Sequence, residues 1–126
     1  MQAHGPTSNS FISQRLRLHY AEWGDPEAPL LILQHGGRDH CRNWDWVAQE
    51  FARDWRIVAP DLRGFGDTDK PPAEEGYDSL TNAKDVAALM THLGHETFHL
   101  HGEDRGAEFA YALAATERAR VKTLSF

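Results

Sequence analysis

Cysteine is almost missing from this chain of 126 residues, which contains a single one, Cys41. An internal disulfide is therefore impossible, and a zinc site built on several cysteines is excluded. Long apolar runs are missing too, since no stretch approaches the ~20 consecutive apolar residues of a membrane-spanning helix. The first ten residues show neither the basic nor the apolar segment of a secretory signal. These absences predict a reduced, cytoplasmic protein with no membrane partner.

Positive charge is also in short supply. Thirteen basic residues stand against 19 acidic ones, which gives a net charge of −6 with neutral histidines. Nucleic acids and anionic membranes bind basic patches, so neither is an expected partner. The length suffices for one domain and is too short for two. We expect a loose tail over residues 1–10 and a single folded unit over 11–126.

The alternation of apolar segments predicts an α/β fold with a doubly wound, mostly parallel sheet. Residues 11–23 have the partly alternating pattern of an antiparallel strand or hairpin at a sheet edge. Beyond them, strands and helices alternate, which implies right-handed crossovers with helices on both faces. The expected strands are 30–33, 55–59, 97–101 and 121–126, and the helices lie around 44–52, before Gly94, and after Gly106. The loops starting at His35, Asp61 and Gly102 should therefore face one crevice.

Two of the helices carry specific packing predictions. Trp44 and Trp46 are expected to pack their helix against the sheet. In the last helix, a stripe of mostly small residues is expected to lie close to the sheet, formed by Ala107, Ala110, Tyr111 and Ala114.

The segment Gly102-Glu103-Asp104-Arg105-Gly106 lies between a predicted strand and a predicted helix. A turn this tight holds its central residue in a strained conformation, and glycines on either side relieve the crowding. Asp104 would then be presented at the start of a helix, where the positive end of the helix dipole favours an anion. No Gly-x-Ser-x-Gly motif occurs in the sequence, which disfavours a serine esterase or lipase.

These motifs resemble the α/β-hydrolase superfamily, and most closely its epoxide hydrolase and dehalogenase branch. The resemblance rests on His35-Gly36-Gly37, on the run from Asp61 to Pro71, on Leu93-Gly94-His95 and on the elbow 102–107. It covers about residue 11 to the end of the chain. By that resemblance the chain is the N-terminal half of an α/β-hydrolase, truncated before the lid and the last strands.

The resemblance also implies roles for individual residues. Asp104 is the nucleophile, and the backbone amides of Gly37 and Arg105 form the oxyanion hole. His35, Gly36, Gly102 and Gly106 shape the two loops, while Asp61 and Arg63 brace the structure. A carboxylate nucleophile forms an ester with the substrate that water then hydrolyses, and the reaction needs neither a cofactor nor a metal.

The substrate is expected to be a small apolar epoxide or a halogenated compound. Haloalkane dehalogenases carry halide-binding side chains where this sequence has Gly37 and Arg105. Fluoroacetate dehalogenases share the arginine after the nucleophile, but here Glu108 occupies the place of their second arginine and would repel a carboxylate. Epoxide hydrolysis is left by elimination, with dehalogenation as the alternative. Glu103, which precedes Asp104, could raise its pKa or pair with Arg105.

Other constellations favour structural roles. His99 and His101 point the same way on a strand, as chelation requires, but the further ligands of a metallo-hydrolase are missing. Cys41 with Asp39 and His40 could suggest a nucleophile pair, yet no third group orients them. Packing or hydrogen bonding is the expected role of these side chains.

A non-catalytic protein on a hydrolase scaffold, or an inert fragment, stays an alternative. The family's general-base histidine and its acid partner lie in the C-terminal half, beyond Phe126. We therefore expect no turnover from these 126 residues alone. The sequence does not indicate an oligomeric state.

Overall fold

A computed structural model describes residues 5–71 and 77–126. In this part of the chain the strands are β1 Thr7–Ser13, β2 Leu16–Trp23, β3 Leu30–Gln34, β4 Arg56–Pro60, β5 Phe98–Gly102 and β6 Val121–Ser125. The helices are α1 Asp45–Phe51, α2 Ser79–Leu93 and α3 Arg105–Thr116, and a 3₁₀ turn, Cys41–Trp44, precedes α1. These strands form one sheet in the order β1–β2–β4–β3–β5–β6. The predicted α/β-hydrolase fold, with its mostly parallel sheet, is confirmed.

The antiparallel edge of the sheet is a hairpin of β1 and β2, in which Ser10 is paired with His19. Its two turn residues, Gln14 and Arg15, have φ values of 47° and 69°, as a two-residue turn matching the twist of the strands requires. Because β1 begins at Thr7, the loose tail predicted for residues 1–10 is wrong from Thr7 onward. There the polar residues form the first part of an edge strand. Residues 1–4 lie outside the described part of the chain.

The parallel part of the sheet reverses its direction of winding at β3. The chain passes from β3 to β4 on one side and then returns to place β5 on the other side, so both β4 and β5 are parallel neighbours of β3. A crevice at the carboxyl ends of the strands is expected at such a switch point. The loops after β3 and β5 are therefore adjacent, although they are far apart in the sequence.

Two apolar layers cover the sheet. Leu30, Ile32 and Val58 face the layer of α2 and α3, which contains Leu89 and Leu113. On the opposite face Leu33, Ile57 and Ala59 pack with residues of the 3₁₀ turn and α1, namely Cys41, Trp44 and Ala48. The alternation along each strand thus places successive side chains in different cores. Within the described residues, none of the helices combines the length and apolarity needed to cross a membrane.

Helix α2 has the boundaries expected from its sequence. The Asp78 side chain accepts a hydrogen bond from the Thr81 amide at 3.2 Å, which caps the first turn. Gly94 follows the last residue with φ of 77°, the left-handed conformation for which glycine is favoured. The prediction that Gly94 ends this helix is confirmed.

Two packing predictions are corrected by the structure. Trp44 is buried as expected, but Trp46 is 82% exposed because it lies on the outer side of the short helix α1. In α3 the buried face consists of Gly106, Phe109, Ala110 and Leu113. Only Ala110 of the predicted stripe is fully buried, and Tyr111 is 66% exposed, because the buried face is offset by one residue, or about 100° of rotation, from the predicted stripe.

Candidate active site at the turn after β5

The turn between β5 and α3 has a strained backbone at its centre. Asp104 has φ of 56° and ψ of −123°, a combination that side chains rarely adopt and that concentrates at functional sites. The close approach of neighbouring backbone explains the two glycines. A Cβ on Gly102 would lie 2.3 Å from the Gly106 carbonyl oxygen, and a Cβ on Gly106 would lie 2.3 Å from that of Gln34.

This backbone turns the Asp104 carboxylate towards the loop after β3. The Gly37 amide donates a hydrogen bond to Asp104 Oδ2 at 3.1 Å. Hydrogen bonds from the backbone amides of Arg105 and then Gly37 hold the pKa of Asp104 below its usual value of 3.8. The side chain is exposed. An exposed, ionised carboxylate held by two backbone amides can attack an electrophilic carbon.

Glu103 has neither of the two roles considered for it, which were raising the pKa of Asp104 and pairing with Arg105. The pKa of Asp104 is lowered rather than raised, so Glu103 does not keep the neighbouring carboxyl protonated. In the described residues Glu103 forms no ion pair with Arg105, whose guanidinium carbon instead lies 5.4 Å from the centre of the Phe109 ring.

The loop after β3 is held in place by His35. Its Nε2 accepts a hydrogen bond from the Leu62 amide at 3.1 Å, and Nδ1 lies 2.7 Å from the Gly36 carbonyl oxygen. Burial lowers the pKa of His35, so the ring is neutral and Nδ1 is its donor. Both ring nitrogens are engaged, and His35 therefore positions the loop rather than exchanging protons.

A cavity of about 130 Å³ lies beside these loops. Its apolar walls include Leu62, Phe65 and Phe109, and Gly37 and Arg105 line it next to the elbow. The Glu108 carboxylate accepts a hydrogen bond from Ser79 Oγ at 3.0 Å. The polar residues Arg63, Tyr77 and Asn82 line the same cavity, so a small molecule with both apolar and polar groups could lie next to the elbow.

The structure confirms that Asp61 and Arg63 brace the loop after β4. Asp61 accepts hydrogen bonds from the amides of Cys41 and Asp67 at 2.7 and 3.0 Å. Arg63 is paired with buried Asp85 on α2. Both residues therefore fix loop positions, and Arg63 also lines the cavity beside the elbow.

Sequence reasoning missed the involvement of His19 in this region. The potential ligand atoms of His19, Cys41 and Asp61 lie within 4.8 Å of one another, a group that could hold a metal ion. However, burial raises the pKa of Cys41 far above its usual value, which opposes the thiolate that a metal requires. Asp61 is already hydrogen-bonded to His19 and two amides. The signal available in the sequence was a polar alternation on β2, which does not identify partners.

The remaining histidine and cysteine candidates have structural contacts. His99 and His101 are hydrogen-bonded to Thr123 and Ser125 on β6, at 2.7 and 2.8 Å. His40 accepts a hydrogen bond from the Arg42 amide, whereas Cys41 lies near His19. The expected packing roles of His99 and His101 are confirmed.

Comparison with known proteins agrees with this geometry. A family model for the alpha/beta hydrolase fold matches residues 29–126. The chain is 36% identical over 125 residues to epoxide hydrolase 3 of Xenopus tropicalis, covering 97% of this chain and 34% of that protein. It is 36% identical over 100 residues to the fluoroacetate dehalogenase of a Burkholderia species, covering 77% and 33%. A solved mutant epoxide hydrolase of Vigna radiata superposes with a TM-score of 0.90 at 30% identity, covering 95% and 37%.

The chain therefore belongs to the α/β-hydrolase fold family. Within that family it falls in the branch of epoxide hydrolases and related dehalogenases, as the sequence predicted. It spans about a third of the length of the curated relatives it matches.

Proposed function

We propose that this protein hydrolyses a small epoxide through an ester formed on Asp104. The observation that carries the proposal is the strained backbone of Asp104, which presents an ionised carboxylate beside two backbone amides. The fold alone would not decide the chemistry, because one scaffold hosts many reactions. The residue at the elbow supports the proposal, because a carboxylate can form an ester at a saturated carbon.

In the proposed reaction one Asp104 oxygen attacks an epoxide carbon. The new bond joins that oxygen to carbon, the carbon–oxygen bond of the ring breaks, and the ring oxygen takes up a proton from water. The amides of Gly37 and Arg105 are the proposed oxyanion donors when water later attacks the ester. Gly36, Gly102 and Gly106 keep the two loops close enough for this, and His35 holds the first of them. No step uses a metal or a cofactor.

Release of the ester requires a general base. His35 is unsuitable because its two nitrogens are engaged, and in the described residues Asp104 accepts no hydrogen bond from a histidine. We therefore propose that residues 1–126 alone accumulate the ester without steady-state turnover. The proposed substrate is apolar, in keeping with Leu62, Phe65 and Phe109, and the proposed location is the cytoplasm.

Dehalogenation is a second candidate, favoured by two observations. Arg105 directly follows Asp104 and lines the cavity, and the similar Burkholderia protein is a fluoroacetate dehalogenase. The Glu108 carboxylate, one turn further along α3, would oppose a second carboxylate. Fluoride release from fluoroacetate would favour this candidate over epoxide opening.

Covalent trapping tests the proposal directly. The folded chain is incubated with styrene oxide, whose benzylic carbon opens readily, and its peptides are analysed by mass spectrometry. We expect an adduct on Asp104 in the parent chain and none at that position in Asp104→Asn. Glu103→Gln is the matched control, because it removes the adjacent carboxylate and should leave the adduct unchanged. An adduct that persists in Asp104→Asn, or an unmodified Asp104, would reject the carboxylate mechanism.

A further inference from the structure

Three hydrogen-bonded side chains connect the β1–β2 hairpin to the loop after β4, outside the cavity beside Asp104. Ser8 Oγ is 2.6 Å from His19 Nε2, and His19 Nδ1 is 2.7 Å from Asp61 Oδ2. A hydroxyl, an imidazole and a carboxylate therefore follow one another in a single line. This order of groups activates a serine in hydrolases of unrelated folds.

The hydrogen-bond donors in this chain can be assigned. Asp61 can only accept, because amides and His19 hold its pKa below the usual value despite burial. Nδ1 of His19 is thus the donor, and in the neutral ring Nε2 carries the lone pair. The Ser8 hydroxyl consequently donates to Nε2, and its proton already lies on the path to the base.

The base is held more firmly than the hydroxyl. Asp61 is 2% exposed and His19 is 13% exposed, and the His19 amide donates to Thr68 Oγ1 at 2.9 Å. Ser8, in contrast, is exposed on the edge strand. A fixed imidazole therefore lies within hydrogen-bond reach of a hydroxyl that a substrate can approach, with Asp61 orienting the base.

The hydroxyl opens into a cavity of its own. This cavity has a volume of about 410 Å³ and is lined by Ser8, Asn9, Ser10, Arg17, His19 and Asp67. Its lining is polar and includes one cation, Arg17, and one anion, Asp67. The positive charge of Arg17 favours an oxygen that becomes negative during the reaction. A small ester with a polar acyl group suits this surface better than an apolar one.

We propose that Ser8 is a second nucleophile, which accepts the acyl group of small polar carboxylic esters. The Ser8 Oγ forms a bond to the acyl carbon while the bond from that carbon to the leaving alkoxide or phenolate breaks. The hydroxyl proton passes to His19 Nε2 and from there to the leaving group or to water. Ser8 and His19 are the catalytic residues of this step, and Asp61 is a positioning residue that orients the imidazole.

Acetylation by p-nitrophenyl acetate tests the assignment. The folded chain is mixed with this ester, p-nitrophenolate release is recorded, and acetylated residues are located by mass spectrometry. We expect acetyl-Ser8 to form at least about 10-fold faster than acetyl-Ser10. Ser10 is the matched reference, because it lies on the same strand and its partner in the hairpin register is His19 itself.

Variants separate catalysis from a structural role. Ser8→Ala should abolish the fast release of p-nitrophenolate, whereas Ser10→Ala should leave it unchanged. Ser8→Thr, which keeps a hydroxyl, should restore part of it. His19→Gln should slow acetylation of Ser8 by at least about 10-fold while circular dichroism shows the same fold.

Two results would overturn the proposal. One is acetylation of Ser8 at the rate seen for Ser10 or for the urea-unfolded chain. The other is an unchanged rate of phenolate release in Ser8→Ala. Because Ser8 is exposed at an edge strand, Ser8→Ala is expected to fold, so either comparison gives a decision even if His19→Gln is unstable.

Discussion

Arg63 Nε lies 2.8 Å from Asp85 Oδ2, and the second oxygen of the same carboxylate accepts from Arg63 Nη2 at 3.1 Å. This bidentate pair joins the loop after β4 to helix α2. Ser13 Oγ also donates to Asp85, at 2.8 Å, which ties the hairpin to the same carboxylate. One buried group thus connects three parts of the fold, of which the loop after β4 and helix α2 line the cavity beside Asp104.

Removal of the Asp85 carboxylate should therefore be costly. Asp85→Ala leaves the Arg63 guanidinium buried without its carboxylate, and we expect the free energy of unfolding to fall by about 3–5 kcal/mol. Urea denaturation followed by circular dichroism measures the change. Asp45→Ala breaks the exposed pair with Arg42 and should cost less than about 1 kcal/mol. Equal losses in the two variants would contradict this account of the buried pair.

Substitution of Gly106 should disrupt the elbow. The Cβ of an alanine would lie 2.3 Å from the Gln34 carbonyl oxygen, so backbone must move, and we expect a loss of about 3 kcal/mol or more. Gly5→Ala is the control, because its Cβ would meet nothing within 4 Å. Melting temperatures of the two variants provide the comparison, and a stable Gly106→Ala would show that the elbow can relax.

A buried amide next to the elbow is expected to reduce stability. Gln34 is fully buried, and neither polar atom of its side chain has a hydrogen-bond partner in the described protein. Gln34→Met keeps the length of the side chain and removes the unsatisfied groups, so the free energy of unfolding should rise by roughly 1–3 kcal/mol. Gln14→Met is the control, because the Gln14 amide donates hydrogen bonds to Thr81 and Asp85. In this variant the free energy of unfolding should fall by about 1 kcal/mol.

Asp61 should make the chain sensitive to acid. Burial acts to raise its pKa, but hydrogen bonds from Cys41, Asp67 and His19 lower it below 3.8 overall. The unfolded chain therefore takes up this proton first as the pH falls. The stabilisation from ionised Asp61 is complete above about pH 3.8 and is lost below it, towards the pKa of the folded state.

Urea titrations at several pH values measure this dependence. Asp61→Asn should be less stable than the parent chain at neutral pH, and the difference should shrink below about pH 3.8. If the difference in stability between the two chains is constant down to pH 3, the charge of the Asp61 carboxylate does not contribute to stability.

The rate at which the proposed adduct forms on Asp104 should fall in acid and should not change near neutral pH. The pKa of Asp104 lies below 3.8 because backbone amides bind the ionised form. The attacking carboxylate is therefore present throughout the neutral and mildly acidic range. Adduct formation on Asp104 should be level between about pH 5 and 8 and fall only below the usual aspartate range. A midpoint near pH 6 would indicate a different attacking group.

The parallel sheet was predictable because its residues are apolar in short continuous runs, as at residues 30–33. The elbow was predictable because Gly102 and Gly106 each lie two residues from Asp104, between a predicted strand and a predicted helix. Their spacing reflects steric limits that act within five residues. Local patterns of this kind require no knowledge of distant partners.

Other features depend on contacts that sequence spacing does not reveal. Ser8 and Asp61 meet at His19, yet they come from an edge strand and a distant loop. The exposure of Trp46 was missed because residues two positions apart in a helix point to different sides, so the burial of Trp44 places Trp46 in solvent. The strand at Thr7–Ser10 was missed because its pairing with β2, and not its own polar composition, stabilises it.

The separation of Gly37 and Asp104 in the chain, 67 residues, has a consequence for synthesis on the ribosome. Strand β3 acquires its neighbour β5 only after the two intervening helices and β4 have been translated. Until then the segment around His35 has no partner on one side, and an unpaired strand edge favours aggregation. Chaperone dependence during translation should therefore be greatest before residue 102 leaves the exit tunnel.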